Sequence, residues 1–501
     1  MRRFLFEGMD ITPVRLQSRI KSAPALAAAL LVALGAAPAP AASVAASPEV
    51  VATQLRDAAT AGHDIAFAWV SELTTRFGPR PSGSANEQAA AEWAVARLKA
   101  LGFDNVHLEP FPVTAWVRGR ESAELIAPSH QPLVIAALGG SPPTPPAGIE
   151  GDVASFATLT ELEAAPGGSL SGKIAFVSAR MVRMQDGSGY APAVVARIDG
   201  PAAAARAGAS AFLMRSAGTD SHRLAHTGTT TYVNGRVALP AFALSAPDAE
   251  QLERIAALGQ VPRVHVFSAA SYVQDAHSQN VIADVRGSGK PEEFVLLGAH
   301  LDSWDQGTGA VDDGAGTAII VAAAKLIRDL PHRPRRTVRV VLFGSEEPAQ
   351  PTPPGGAFGG HNYAERHQAE LAHHVLAGES DLGSDRVYGF SLPPAVQQAA
   401  FGQATLRVLG PLGILAEPHP IHDAGTDVGP SVEAGVPALA LNQDATHYFD
   451  LHHTADDTLD KIDRVPLDQN VAAWAALAWL AADSDVNFRD AGAVPSPARG
   501  H

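Results

Sequence analysis

The second half of the sequence consists of near-continuous apolar runs of strand length, each followed by a stretch with helical spacing. FVLLGAH (294–300) leads into GTAIIVAAAKLIRDL, TVRVVLFG (337–344) into GGHNYAERHQAELAHHV, and VPALALN (436–442) towards DQNVAAWAALAWLAADS. A strand that is apolar along both of its faces has to be covered on both sides. Strands of this kind alternating with helices predict an α/β fold, with a mixed, largely parallel sheet sandwiched between helices. VIADV (281–285) reads as one more strand, and VHLEPFPVTAWV (106–117) as an edge strand, because Pro110 and Pro112 cannot donate to a ladder.

The chain has 501 residues, 46% hydrophobic and 18% charged, which is enough for sizeable cores. The apolar run APALAAALLVALGAA (23–37) follows Arg2, Arg3, Arg15, Arg19 and Lys21 and precedes small-residue cleavage sites. It is shorter than the ~20 residues that span a bilayer, so 1–46 is expected to be a cleaved signal peptide. That address predicts a periplasmic or secreted protein with no membrane attachment after processing. The sequence contains no cysteine, so stability outside the cell cannot rest on disulfides. The net charge of −15, with no basic stripe, argues against nucleic acid as a partner.

The texture divides the mature chain. Residues 47–120 read helix, loop, helix, strand, with GSANEQAAAEWAVARLKALGF (83–103) as the clearest helix. Between 121 and 262, short β runs such as ESAELIA, PLVIAAL and GKIAFVSA are separated by Pro/Gly clusters. One stretch there, DGPAAAARAGASAFLMRS (199–216), reads as helix. This segment is expected to be an inserted β-rich module, with 47–120 and 263–488 forming the two parts of the principal domain. Residues 489–501, rich in Pro and Gly, are expected to be a disordered tail.

In open α/β sheets, ligands bind beyond the carboxyl ends of the strands. Histidines and acids collect at such positions here. His300 and Asp302 end FVLLGAH, Asp312 and Asp313 precede a helix start, Glu346 and Glu347 end TVRVVLFG, Asp381 follows HHVLAGES, and His453 lies in the loop after VPALALN. Each has a bland alternative: a surface His-x-Asp pair, a helix cap at Asp312–Asp313, a solvated acidic turn at Glu346–Glu347, a plain loop at His452–His453. Two adjacent acids closing a buried strand would repel each other unless cations are present, and this makes Glu346–Glu347 the sharpest of the signals. His and carboxylate donors without cysteine suit a hydrolytic zinc site. His361, His367, His373 and His374 read as ordinary helix-surface residues.

The set HLDSWDQGTGAVDDGAG, LFGSEE, GESDLG and HHTADDTLDKID resembles the exported zinc exopeptidases with a two-metal centre, and is most similar to their carboxypeptidase Q branch. The likeness covers nearly the whole mature chain, and the inserted module resembles a protease-associated domain. The resemblance implies two Zn2+ ions per chain, bridged by Asp312. His300 and Asp381 would complete one site, Glu347 and His453 the other. Glu346 would be the general base and Asp302 the orienting partner of His300. His453 rather than His452 is implied because the family's ligand stands directly before a Thr/Ser-x-x-Asp-Thr stretch. The family also has a cis peptide after the bridging aspartate, here Asp312–Asp313.

The chain departs from the family in PAQPTPP (348–354), which intervenes after Glu347 and is expected to reshape the rim of the site. The implied substrate is a short peptide cut at its end, by aminopeptidase or dipeptidase action. A carboxypeptidase, a single-zinc glutaminyl-cyclase-like transferase and a non-catalytic binding homologue are the alternatives. Relatives of this type form homodimers, so a dimer is the expected assembly.

Overall fold

The computed structural model describes residues 47–489 apart from His63 and 419–423. The expected signal segment, and the expected tail beyond Arg489, lie outside the described residues. Arg489 itself donates to the carbonyl of Gly435 at 2.6 Å and to that of His374 at 2.9 Å.

Five strands form the sheet that carries the site: β1 (Asp104–Val117), β2 (Ser271–Val285), β3 (Lys290–His300), β4 (Arg336–Phe343) and β5 (His374–Glu379), in the order β1-β2-β4-β3-β5. Four helices matter to it: α1 (Ala85–Ala100), α2 (Ala315–Arg328), α3 (Phe358–Arg366) and α4 (Arg464–Ala482). The sheet is mixed in equal measure rather than largely parallel. β1–β2 and β2–β4 pair antiparallel, whereas β4–β3 and β3–β5 pair parallel. The reason lies in the connections. A helix crosses over between β3 and β4 and again between β4 and β5, which returns the chain in the same direction, whereas only residues 286–289 join β2 to β3. As its prolines required, β1 is an edge strand.

The pleat sends alternate side chains to opposite faces, and both faces are dry. Val338, Val340 and Leu342 of β4 join a core with α2 and α4, while Val341 and Phe343 join a second core with Tyr363 of α3. In α4 all residues from Gln469 to Ala482 are buried, a helix apolar on every side because it is packed on every side. α1 starts with Ser84 accepting the Glu87 N–H at 3.1 Å, and Glu87 reaches back to the Gly83 N–H at 2.6 Å.

Residues 121–268 build a second, eight-stranded sheet over two cores, one of which also takes in Trp116, Ala270 and Trp304. Four of its strands, Ile149–Phe156, Lys173–Val177, Ala211–Arg215 and Ala241–Leu244, run parallel to one another in sequence order. The helix expected across 199–216 in fact spans Tyr190–Arg206, and AFLMR forms a strand instead. Gly208, at φ +87°, breaks the alanine-rich helix, and the β-prone residues after it pair between two neighbours. A helix at Ala246–Ala257 was not foreseen.

A candidate metal centre

The chain reaches the site from the carboxyl ends of the three parallel strands. His300 is the last residue of β3, Glu346 and Glu347 follow β4, and Asp381 follows β5. Asp312 lies in a tight turn ahead of α2, and the Asp312–Asp313 peptide bond is cis. His453 arrives from a loop near α4, with a φ of +62°.

Asp312 sits between two clusters. Its Oδ1 lies 3.1 Å from His300 Nε2, which is 3.4 Å from Asp381 Oδ1. Its Oδ2 lies 3.4 Å from His453 Nε2, which is 3.0 Å from Glu347 Oε2. For ligand bonds of 2.0–2.1 Å, donor atoms around a tetrahedral zinc stand about 3.3 Å apart. The spacings on the two sides of Asp312 therefore suit one ion each.

Proton bookkeeping leads to the same conclusion. His453 Nδ1 meets the carbonyl of Thr227 at 3.2 Å, and a carbonyl can only accept. Burial, followed by His452 and Arg197 nearby, holds the His453 pKa well below the usual value, so the ring is neutral. Its Nε2 is then a bare lone pair facing two carboxyl oxygens, an arrangement that a bound cation satisfies. His300 is arranged alike, with Nδ1 on the Asp302 carbonyl at 3.0 Å and Nε2 facing Asp312 and Asp381. Burial lowers the His300 pKa, but the surrounding carboxylates of Asp381, Asp302 and Asp312 outweigh it and raise it well above the usual value. Asp312 Oδ2, and the Glu347 oxygen that does not face His453, are buried with no hydrogen-bond partner, which fits carboxylates that ligate a metal.

The carboxylates around the centre carry the same electrostatic signature. Burial, then the charge of Asp312, raises Glu347 well above the carboxylate range. Burial, together with Asp381, Asp302 and Asp312, pushes Glu346 up to about 8 against the opposing effect of His300. Glu346 keeps partial exposure where Glu347 has almost none, and so has access to water.

His452 and His453 stack with ring centroids 3.5 Å apart at 23°. Both rings stand near Asp312, but lone pairs in nearly parallel planes converge poorly on a single ion, which favours one ring of the pair as the ligand. His453 has the carbonyl partner that fixes a ligand's tautomer, whereas His452 Nδ1 is buried without a partner and its Nε2 lies 3.6 Å from Asp312.

Other expectations are modified by the structure. The Asp302 carboxylate stands 3.7 Å from His300 Nδ1, and it is the Asp302 main-chain carbonyl that meets the ring at 3.0 Å. Asp313 caps α2 through the Gly316 N–H at 3.0 Å and also holds the His300 N–H at 3.1 Å. Asp305, five residues after His300, receives Arg118 at 2.7 Å. His374 is not a surface residue: it is wholly buried at the start of β5, hydrogen-bonded to Tyr363 Oη at 2.8 Å, because the helix ahead of it ends early. PAQPTPP forms a short hairpin in which the Ala349 N–H donates to Thr229 at 2.8 Å.

Two supporting residues were missed in the sequence. Asp457 accepts the N–H groups of Ala310 at 2.9 Å, Val311 at 2.6 Å and Asp312 at 3.3 Å, and so holds the turn that presents Asp312. Arg80 is fully buried, and its guanidinium donates to the carbonyls of Gly78, Leu301, Thr308 and Gly309. It thereby places a permanent cation among Asp457, Asp302, Asp313 and Asp312. The only sequence signals were the doubled acid in TADDT and an arginine between two prolines.

Residues 280–478 match the model of peptidase family M28. Carboxypeptidase Q of Mus musculus is 35% identical over 413 residues, covering 82% of this chain and 84% of that protein. The chain belongs to peptidase family M28. Among solved structures, the M28 peptidase precursor from Shewanella amazonensis is 43% identical and superposes with a TM-score of 0.84, covering 88% of this chain and 98% of the other. BSAP, a zinc aminopeptidase from Bacillus subtilis, shares the fold at 21% identity and a TM-score of 0.59, covering 85% of this chain and 97% of its own.

Proposed function

We propose that this M28 peptidase is an exported zinc exopeptidase that removes residues from the end of short peptides, as an aminopeptidase or dipeptidase. The observation that carries the reading is Asp312, whose two oxygens face two separate His–carboxylate pairs. One ion would be held by His300, Asp381 and Asp312, the other by Glu347, His453 and Asp312. Such ions polarise the scissile carbonyl and make water acidic enough to be deprotonated near neutral pH.

The chain's own groups do the rest. Glu346 takes a proton from the attacking water and returns it to the departing amine nitrogen. Cations beside it would lower its pKa from about 8, restoring the carboxylate at neutral pH. Asp302 holds the Glu346 and Glu347 N–H groups at 3.0 and 3.3 Å, which fixes the turn from which both side chains leave. Asp457 and Asp313 keep Asp312 and His300 in register.

The N-terminal pattern supports export, and among the described residues no helix is long and apolar enough to cross a membrane. The eight-stranded unit is proposed as the protease-associated module, and a homodimer as the assembly. Carboxypeptidase action is the second reading, favoured by the name that the mouse relative carries. A panel of free, N-blocked and C-blocked dipeptides, each with and without chelator, tests the proposal. Chelator-sensitive cleavage that needs a free N-terminus is expected. Cleavage of N-blocked substrates alone would establish the carboxypeptidase instead, and chelator-insensitive cleavage would defeat both.

A further inference from the structure

The two clusters differ in where their histidine is braced. His300 Nδ1 leans on Asp302, two residues along its own strand end. His453 Nδ1 leans on Thr227, which belongs to the long loop between the Ala211–Arg215 and Ala241–Leu244 strands of the eight-stranded sheet. The bracing is reciprocal, since the Thr227 N–H donates to the His453 carbonyl at 3.0 Å.

Thr227 is itself anchored. Its hydroxyl donates to the Ala137 carbonyl at 2.8 Å and accepts from Arg118 Nη2 at 3.1 Å. Arg118 lies in the linker between β1 and the Glu121–Ala127 strand, and it grips the Asp305 carboxylate through Nε at 2.9 Å and Nη2 at 2.7 Å. Asp305 follows His300 by five residues. One guanidinium thus joins the loop after β3 to the loop that orients His453. Thr227 and Arg118 are 1% and 7% exposed, so water has little access to the bond between them. Neighbouring contacts tie down the same loop: His226 Nδ1 meets the His452 carbonyl at 2.8 Å, and Thr219 Oγ1 donates to Asp450 at 2.8 Å.

We infer that Thr227, held by Arg118, is a positioning residue for the metal centre, so that the eight-stranded unit sets the affinity of the ion at His453 and Glu347 but not of the ion at His300 and Asp381. A carbonyl fixed on the far nitrogen of a ligating imidazole sets its tautomer and direction, and losing such a partner costs about 10–100-fold in metal affinity. The inference rests on the two-ion reading above.

The test titrates zinc-loaded protein with a chelator of known affinity and counts the ions released at each step. Wild type should release two ions. Thr227→Val, which keeps the bracing carbonyl but loses the hydroxyl that anchors it, should weaken one ion by up to about tenfold and leave the other unchanged. Thr227→Ser should restore the wild-type curve. Gly228→Ala should weaken the same ion further, because Gly228 has φ +137° and its Cβ would stand 2.1 Å from Arg197 Nη1. A Thr227→Val curve identical to wild type, equal weakening of both ions, or a loss that serine does not restore would overturn the inference. Release of a single ion from wild type would instead refute the two-ion reading.

Discussion

The carboxylate of Asp302 accepts the backbone N–H of Glu346 at 3.0 Å, and its second oxygen takes that of Glu347 at 3.3 Å. The residue expected to orient His300 with its side chain does so with its main chain, leaving the carboxylate free to fix the neighbouring strand end. A single residue at the tip of β3 therefore sets both a histidine of one cluster and the Glu–Glu turn after β4. The two strands are parallel neighbours in register, His300 opposite Phe343, which makes the reach possible.

Glu346→Gln should keep its metal and the fold but lower kcat by about 10²–10⁴, the usual contribution of a positioned general base. Metal analysis alongside steady-state kinetics on a dipeptide checks this. Wild-type kcat in the glutamine variant would remove Glu346 from the proton-transfer role.

Asp312→Ala should lose metal and stability together, since it removes a ligand from both clusters and leaves buried acids without counter-charge. The wild-type melting temperature should fall when chelator is added, while that of the variant should start low and barely respond. Unchanged metal content and melting temperature in the variant would refute a bridging role.

Asp457→Asn should act at a distance. It replaces the carboxyl that accepts three backbone N–H groups, its pKa raised to about 7 by burial and the charge of Asp312, and each such bond contributes about 1 kcal/mol. Denaturant unfolding should show a loss of a few kcal/mol, and zinc affinity should drop although no ligand has changed. Intact zinc affinity in a destabilised variant would show that the turn at Asp312 does not depend on this anchor.

His374 should make the fold acid-sensitive. Burial, with Arg339 and His367 nearby, lowers its pKa from 6.5 to about 4. Above pH 6.5 the ring is neutral in both folded and unfolded chains and its contribution is fully present. Below that, the unfolded chain takes up a proton that the native ring refuses until about pH 4, so stability falls with pH, by roughly 3 kcal/mol in all. Unfolding free energies at pH 7 and pH 4.5 for wild type and His374→Gln measure this. The variant should lose less across the interval, and equal losses would assign the acid sensitivity to other groups.

Much of the centre was legible in the sequence because its side chains sit at strand ends, where an abrupt change from apolar to acidic residues stands out. His300, Glu346, Glu347 and Asp381 all carry that mark. Asp457 and Arg80 do not, for their work is done on backbone N–H and carbonyl groups that become neighbours only when distant loops fold together. His374 was misread because a helical pattern continues through it, whereas the chain has already turned into a buried strand. The β runs of 121–268 were visible, but the parallel order of the central four strands was not, since short apolar strands do not encode their partners.

By itself the sequence determined the alternation of strands and helices, the edge position of β1, and the chemistry of the donor set, because these depend on local patterning and on residue type. Only the tertiary structure decided that half of the strand pairs in the five-stranded sheet are antiparallel, that Asp312 faces two clusters rather than one, and that His453 rather than His452 has a braced ring. Those outcomes depend on distances between residues far apart in the chain. The clearest is the pairing of Thr227 with His453, separated by 226 positions and brought to 3.2 Å by the packing of one sheet against the other's loops.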